Sequence, residues 1–590
     1  MTLEQAGVIA VMLLLVLSLY REWLAPLPAF FGAASLFTLT GLLDPAEMLS
    51  GFANVQIAVI MMLLVMGGLV RKTSVVGVFF DRIFKTRYSY RGFLVRLMSY
   101  TALLSAFLNN TPIVATLIPY VYDWGNKKDI SPSKLLIPLS YAAILGGTAT
   151  LIGTSTNLIV NGMVAQAGHQ PLGLFDFALV GLPLIVAGII YLTLFGFRLL
   201  PDRQDVLDRF EAQLREYMVE TRLETNAPLI GKSVEEAGLR NLKGLYLVEV
   251  VRDEASIFPV SPDFTLQRDD RLLFAGEVET IADLVDLNLG IQFSQQTHMQ
   301  HNNQTNLVEA VIPFNSSLSS QTAKEVDFRA RFDAAIVAIH RNGEKISGKL
   351  GAVPLRAGDL LLLLTGPQFE DSMRQTSSLY KVSKLREYHQ LDLKHTTLIL
   401  GGLVLAILGA ALGLLSLFKS LLLLLVMLLV TRTVNLKEVR QSLDLQLFGI
   451  AAFALALGQT VANTGTARLI ADGLLSTTSL FGPVLILGVL YVLTNLLTEF
   501  MTNVAAASIV LPIALETAGV MGLDEVAPFV LAVAYGASAS FITPFGYQTN
   551  LMVMGPGNYR FRDFVRIGIP ISILYMLTAV SLLGYFYGLF

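Results

Sequence analysis

The sequence predicts a polytopic α-helical membrane protein, an inverted repeat with two re-entrant hairpins, carrying two small cytoplasmic α+β domains between its halves. Three observations predict it. The chain has 590 residues, 54% hydrophobic and only 15% charged, and its mean hydropathy of +0.61 reflects several apolar runs longer than a bilayer crossing requires. Polar clusters interrupt two of those runs at mid-length, where a plain spanning helix is most apolar. Each cluster, together with the segments around it, occurs twice at nearly constant separation.

The first cluster is Ser105–Pro112, inside the apolar run from Phe93 to Tyr122. It holds Asn109, Asn110 and Thr111, and Pro112 lacks a backbone donor, so each polar group needs a partner that hydrocarbon does not supply. Arg82, Lys85, Arg87, Arg91 and Arg96 precede the run, and Lys127, Lys128 and Lys134 follow it. Basic residues mark the cytoplasmic side, so both ends are expected there and the run is a hairpin whose polar tip lines a cavity.

The tip recurs. Phe107–Thr111 with Pro119 is echoed at an offset of 393 by Phe500–Val504 with Pro512, and the same offset carries Gly153–Leu158 onto Gly546–Leu551. Asp176, Gly181 and Pro183 match Asp563, Gly568 and Pro570 at an offset of 387, and Gln56 matches Gln446 at 390. Two copies of one membrane unit therefore flank an insertion.

In chain order, the first half is expected to span at 7–20, 26–43 and 55–70, to enter the hairpin, and then to span at 135–163 and 178–197. The N-terminal Met-Thr-Leu-Glu-Gln has no basic region and no small-residue cleavage site follows, so Val8–Tyr20 reads as a retained span. Thr73–Lys85 reads as an amphipathic surface helix. With Arg21 and Arg71 inside, the N-terminus lies outside and Arg198 reaches the cytoplasm. The second half is expected at 396–415, 418–431 and 445–461, a second hairpin, then 527–555 and 567–589. No Lys or Arg occurs between Arg468 and Arg560, while Glu516, Asp524 and Glu525 flank the hairpin, so it enters from outside and the C-terminus is external. An odd number of spans per half inverts the second copy.

After Pro201 the composition turns charged until about residue 390. Val250–Asp253 recurs as Ile339–Asn342, and at the same offset of 89 Asp270 falls on Asp359. The domains expected are 1–200 and 391–590 in the membrane, with 206–292 and 304–376 as the duplicated soluble pair. Ser294–Thr305 reads as a polar linker, and its His298 and His301, with no carboxylate or cysteine nearby, do not make a metal site. The net charge of −3 gives no reason to expect nucleic acid, and the lack of cysteine excludes disulfides and thiolate metal sites. No nucleophile–base pair stands out, so an enzyme is not expected.

The two tips and the two Gly-x-x-Thr-Asn stretches are expected to converge near mid-membrane. Gly153 and Gly546 stand inside otherwise spanning helices and permit unwinding there. Freed carbonyls with Asn and hydroxyl oxygens suit a hard cation such as Na⁺, and freed amides at helix N-termini suit an anion. None of the four elements contains Lys or Arg, so dipoles, hydroxyls and co-bound cations must hold the anion. Asn110, Asn157, Asn503 and Asn550, repeated beside glycines, read as functional, whereas a lone Ser or Thr in a span reads as packing. Glu499 is the one carboxylate at depth here, either a coupling site for a proton or cation or a residue facing a vestibule.

The paired tips and the run Gly146–Asn157 resemble the divalent anion:sodium symporter family of the ion transporter superfamily, over about 400 residues. The family's Ser-Asn-Thr tip signature is here Asn109-Asn110-Thr111 and Thr502-Asn503-Val504. The Pro-Pro-Asn of its carboxylate-carrying branch is replaced by Ser155-Thr156-Asn157 and Gln548-Thr549-Asn550, the form of the sulfate-associated branch. The inserted domains resemble the RCK-C (TrkA-C-like) modules of potassium-conductance regulators, including Arg252, Arg341 and Asp359. The resemblance implies an elevator-type homodimer in the cell (inner) membrane, with residues 206–376 cytoplasmic and binding a small ligand or nucleotide. It implies one sodium site at Ser105, Asn109, Asn110 and Gly153, and another at Thr498, Thr502, Asn503 and Gly546. The anion is expected against Asn110, Thr111, Thr154, Thr502, Asn503 and Tyr547, with Ser155, Asn157 and Asn550 beside them. Val504 lacks the hydroxyl of the family's tip.

The leading expectation is sodium-coupled symport of sulfate or a related divalent oxyanion with no organic cofactor, proton coupling standing as the alternative. A di- or tricarboxylate carrier on the same fold is a second reading. A channel or ion-flux regulator is a third, resting on the RCK-C likeness alone.

Overall fold

The computed structural model describes the chain apart from residues 22, 73–88, 204–217, 224–226, 240–244, 253–254, 258–259, 261–262, 277–290, 294–305, 314–315, 342–343, 347–350, 352, 367, 375–377, 382–392, 479–481 and 524. The expected surface helix Thr73–Lys85 and the histidine-bearing linker Ser294–Thr305 lie outside the described residues.

The first half folds into α1 (Leu3–Tyr20), α2 (Pro26–Leu39), α3 (Pro45–Ser50), α4 (Val55–Lys72), α5 (Tyr90–Ser105), α6 (Asn110–Lys127), α7 (Leu136–Gly147), α8 (Ser155–Gln166) and α9 (Ala178–Leu199). Local chemistry sets several of these ends. Thr2 and Gln5 form a capping box on α1, Asp44 and Glu47 another on α3, and Pro26 and Pro45 occupy first-turn positions where no donor is missed.

The insertion carries β1 (Met218–Leu223), β2 (Leu245–Arg252), β3 (Ala255–Ile257), β4 (Arg271–Gly276) and β5 (Ile291–Phe293) in one antiparallel sheet. A second sheet holds β6 (Asn306–Val311), β7 (Ala334–Arg341), β8 (Glu344–Lys345), β9 (Leu360–Thr365) and β10 (Tyr380–Lys381), with short helices α10 (Phe328–Phe332) and α11 (Phe369–Arg374). The strand orders, β3-β2-β4-β1-β5 and β10-β6-β9-β7-β8, are the same topology. Even the bulges correspond, at Leu247/Glu249 and Ile336/Ala338. Each sheet has its own apolar core.

The second membrane half repeats the first: α12 (Leu393–Ala411), α13 (Leu417–Val430), α14 (Leu436–Ser442), α15 (Leu445–Asn463), α16 (Thr466–Thr478), α17 (Gly482–Thr498), α18 (Asn503–Val520), α19 (Ala527–Ser538), α20 (Gln548–Met554) and α21 (Phe561–Phe586). The capping box returns on α14 as Asn435 and Glu438. Helix α16 has no expected counterpart in the sequence reading. Its residues Thr466–Thr478 include Arg468 and Asp472, and it carries too little apolar length to register as a span.

Among the described residues six helices are long and apolar enough to cross a membrane, including Asn503–Val520, the second arm of the second hairpin. Length therefore does not separate a hairpin arm from a span; its contacts at the tip do. The helices sort into two bundles. In one, α2 packs on α15, and α4 on α12, α13 and α14. In the other, α5 packs on α7, α17 on α19, α9 on α21, and α7 on α20. Helices α15 and α16 against α18, and α4 against α8, join the two. The second bundle carries both tips and both helix breaks.

Candidate functional site

Helix α5 ends at Ser105 and α6 begins at Asn110, so Ala106–Asn109 form the first tip. Helix α7 ends at Gly147 and α8 resumes at Ser155, which leaves 148–154 as a break. The tip folds back on this break. The Ser105 hydroxyl faces the Ala143 carbonyl at 2.7 Å and also bonds Asn110 Oδ1. Thr150 donates to the Ala106 carbonyl, and Asn157 Nδ2 donates to the carbonyls of Thr150 (2.9 Å) and Gly147 (3.5 Å).

The second half builds the same device. Thr498 Oγ1 stands 2.8 Å from Asn503 Oδ1 and 2.7 Å from the Ala537 carbonyl, its one proton shared between them, with Ser540 Oγ 3.2 Å away. Thr543 donates to the Glu499 carbonyl at 3.0 Å, as Thr150 does to Ala106. Asn550 Nδ2 donates to the carbonyls of Ser540 (2.8 Å) and Thr543 (3.2 Å). Apart from the Ala537 carbonyl, which stands 394 residues from that of Ala143, these partners stand 393 residues from those of the first half, so the duplication reaches individual hydrogen bonds.

Gly153 and Gly546 serve close approach, and neither has the positive φ that glycine alone adopts easily. A Cβ at Gly153 would stand 2.5 Å from the Gly147 carbonyl oxygen; one at Gly546 would stand 3.1 Å from the Thr498 carbonyl oxygen and from Glu499 Oε2.

The two half-sites meet through the first tip and the second break. Asn110 Nδ2 donates to the Tyr547 hydroxyl at 2.5 Å, Thr111 Oγ1 donates to Gln548 Oε1 at 2.8 Å, and Thr154 Oγ1 lies 3.5 Å from the Tyr547 hydroxyl. The N-termini of α6, α8 and α20 thus face one region, and α18 starts at Asn503, bound to the break that leads into α20. Helix N-termini carry partial positive charge, so this region favours an anion although it contains no Lys or Arg. Near the C-termini of α7 and α19 the Ala143 and Ala537 carbonyls instead face the Ser105 and Thr498 hydroxyls, which stand beside Asn110 and Asn503. Oxygens of Ser105, Asn110 and Ala143, and of Thr498, Asn503, Ala537 and Ser540, form two all-oxygen clusters suited to a hard monovalent cation.

The remaining expected residues take distinct places. Thr502 caps α18 by accepting from the Ala505 amide at 3.3 Å, and Asn109 Oδ1 accepts from the Thr111 amide at 3.2 Å. Ser155 begins α8 and lines, with Asn109, Gly153 and Thr154, a cavity of about 20 Å³ against Ile60 and Leu63 of the other bundle. Asn157 and Asn550 are buried behind the breaks, where their amides hold unwound carbonyls. Glu499 is 4% exposed, and its carboxylate accepts from the amides of Ile542 (3.0 Å) and Thr543 (2.8 Å). It braces the second break where the first half has Ala106. Ser540 and Gln548 were not among the expected site residues. Their counterparts are Gly147 and Ser155, so a search for residues repeated in both halves passes over them.

A membrane-embedded site of paired tips and broken helices, reached from two bundles, defines a polytopic membrane transporter. Residues 9–536 match the citrate transporter family, CitMHS, and the chain belongs to it. It is 32% identical over 570 residues to a protein of Chlamydomonas reinhardtii named "Putative sulfur deprivation response regulator", covering 94% of this chain and 96% of that one. It is 31% identical to the uncharacterized transporter sll0640 of Synechocystis sp., covering 98% and 97%. It is 24% identical to sodium/sulfate cotransporter 1 of Chlamydomonas reinhardtii, covering 92% and 85%. The family agrees with the symporter resemblance drawn from the tip motifs, and the protein is a transporter, not an enzyme.

Proposed function

We propose that this transporter couples the entry of sulfate, or a related divalent inorganic oxyanion, to sodium. The observation that carries the proposal is the division of labour at the site. Helix N-termini and neutral donors gather around Asn110, Thr111, Thr154, Asn503 and Tyr547, while two oxygen clusters lie directly behind, at Ser105–Asn110 and Thr498–Asn503. Without a basic side chain, a dianion there lacks full charge compensation until cations enter the adjoining clusters, and that dependence is the coupling. Sodium and sulfate are both cargo here. The sodium/sulfate cotransporters among the relatives support this reading.

Asn109 and Gly153 belong to the first sodium cluster, and Thr502 and Gly546 to the second. Asn157 and Asn550 act at one remove, by holding the breaks. The two bundles are the moving and fixed parts of an elevator within a homodimer in the inner membrane. Residues 1–200 and 391–590 are its inverted membrane repeats, with both termini external. Residues 206–292 and 304–376 are cytoplasmic RCK-C-like domains that respond to a small ligand such as a nucleotide.

Uptake of labelled sulfate and of labelled succinate into proteoliposomes, with and without an inward sodium gradient, tests the proposal. Sodium-driven sulfate uptake is expected. Succinate or citrate uptake without sulfate uptake would replace sulfate by a carboxylate, a reading the family description favours. Sulfate uptake indifferent to sodium would remove the coupling.

A further inference from the structure

The pseudo-twofold relation between the half-sites fails at one place. The first tip is clasped by the second break through Asn110–Tyr547 and Thr111–Gln548, but Val504, at the position equivalent to Thr111, has no hydroxyl with which to clasp Ser155. The clasp determines which hydrogen-bonding capacity the site presents. Asn110 Oδ1 accepts from Ser105, Asn109 Oδ1 from the Thr111 amide, and Asn503 Oδ1 from Thr498. Glu499 accepts from the Ile542 and Thr543 amides, and Gln548 Oε1 from Thr111. Each of these oxygens already faces a donor, and the Thr111 contact adds direction by holding the Gln548 amide with its oxygen turned to Thr111. What remains open is chiefly donors: Gln548 Nε2 and Asn503 Nδ2 have no partner among the described residues, and the Tyr547 hydroxyl, accepting from Asn110, has the Thr154 hydroxyl at 3.5 Å within reach of its own proton.

We infer that Thr111, by occupying Gln548 Oε1, makes the site select a fully ionised oxyanion over a protonated one. This rests on the oxyanion reading above and adds a selectivity determinant to it. Sulfate at neutral pH carries only acceptors, and it meets the Gln548 amide N–H as a neutral donor. Hydrogenphosphate has the same shape and similar charge, but one of its oxygens bears a proton that needs an acceptor. With Gln548 Oε1 turned to Thr111, that proton meets the amide N–H rather than the amide oxygen and loses its hydrogen bond to water on entry, which costs affinity. Thr111 acts through Gln548 and is a positioning residue; Gln548 is the group that touches the anion.

The test is competition of phosphate against labelled sulfate uptake in proteoliposomes, for the wild type and for Thr111→Ala, Thr111→Ser and Gln548→Leu. Both positions are at least partly exposed, and thermal unfolding in detergent confirms folding of each variant. Thr111→Ala releases Gln548 Oε1, and phosphate should then compete about tenfold better relative to sulfate, the ratio that about 1.4 kcal/mol of recovered hydrogen bonding gives. Thr111→Ser keeps the hydroxyl and should keep wild-type discrimination. Gln548→Leu removes donor and acceptor together, and should weaken sulfate without admitting phosphate. Equal phosphate-to-sulfate ratios in Thr111→Ala, Thr111→Ser and wild type overturn the inference while leaving the sulfate reading intact, as does a phosphate gain in Gln548→Leu. A wild type that carries no sulfate overturns both.

Discussion

Gly358, in the turn before β9, lies directly against Leu551 of α20, and a Cβ on it would stand 2.7 Å from Leu551 Cδ1. Val311 and Leu360 of the same sheet belong to the membrane core rather than to the sheet's own. The turn is rigid: Arg341 grips Asp359 through two bonds of 2.7 and 2.8 Å, and the Gly358 amide donates to the Ile312 carbonyl at 2.8 Å. In the first inserted domain the equivalent position is Asp269, more than half exposed and paired with Arg222. One of two duplicated turns thus touches the helix that begins with Gln548.

Gly358→Ala should therefore destabilise the protein twice over, through the Leu551 contact and through its φ of +84°. A left-handed backbone costs an alanine roughly 1–2 kcal/mol, and overpacking adds about 1 kcal/mol or more. Adding Leu551→Ala should restore only the packing part. Thermal unfolding of the single and double variants reads this out, and simple additivity would show that the two residues do not press on one another.

Arg341→Ala should cost roughly 2–3 kcal/mol in the second inserted domain, because Asp359 is fully buried and would lose its only guanidinium partner described here. The value sits below that of a fully buried pair because the Arg341 side chain is 21% exposed. Arg341→Lys should recover little, since an ammonium cannot bond both carboxylate oxygens and the Pro354 carbonyl in one plane. Limited proteolysis at rising temperature distinguishes the variants.

Asn110→Ala and Asn503→Ala should each abolish sodium-dependent uptake, since water does not readily replace a side-chain oxygen in a buried cation cluster. They should differ for the anion. Asn110→Ala also frees the Tyr547 hydroxyl and should change the anion competition profile, whereas Asn503→Ala removes the open Nδ2 donor and should weaken all anions alike. Normal sodium dependence in either variant rules out that cluster.

The two break glycines should tolerate alanine unequally. At Gly153 a Cβ meets backbone, the Gly147 carbonyl oxygen at 2.5 Å, whereas at Gly546 the nearest atom is the Ser540 Cβ at 3.0 Å. Backbone in a break cannot yield without moving the Asn110 cluster. Gly153→Ala should lose most transport, with a stability cost of about 1–3 kcal/mol, and Gly546→Ala should lose less.

Membrane orientation is testable because the chain has no cysteine. A cysteine in place of exposed Lys128 should resist an impermeant maleimide in intact cells, and one in place of exposed Glu525 should react. The reverse pattern would invert the whole topology.

The sequence alone determined that the chain is a membrane protein, that its membrane unit is duplicated, and where helices are interrupted. These are properties of hydropathy and of offsets, which need no knowledge of what lies nearby: Pro112, Gly153 and Asn157 interrupt a bilayer-length apolar run whatever surrounds them. The matched arginines and aspartates of the inserted domains were equally legible as a repeat, but their use was not. Arg252 and Asp270, like Arg341 and Asp359, bind each other across a sheet, so their charges hold turns. Only the tertiary structure decided that Asn157 and Asn550 stand behind the breaks, that Glu499 braces backbone amides, and that Gln548 faces Thr111 from 437 residues away. Asn110, Thr111 and Thr154 find partners in the other copy, and the distance between copies along the chain carries no information about which side chains meet across the pseudo-symmetry axis.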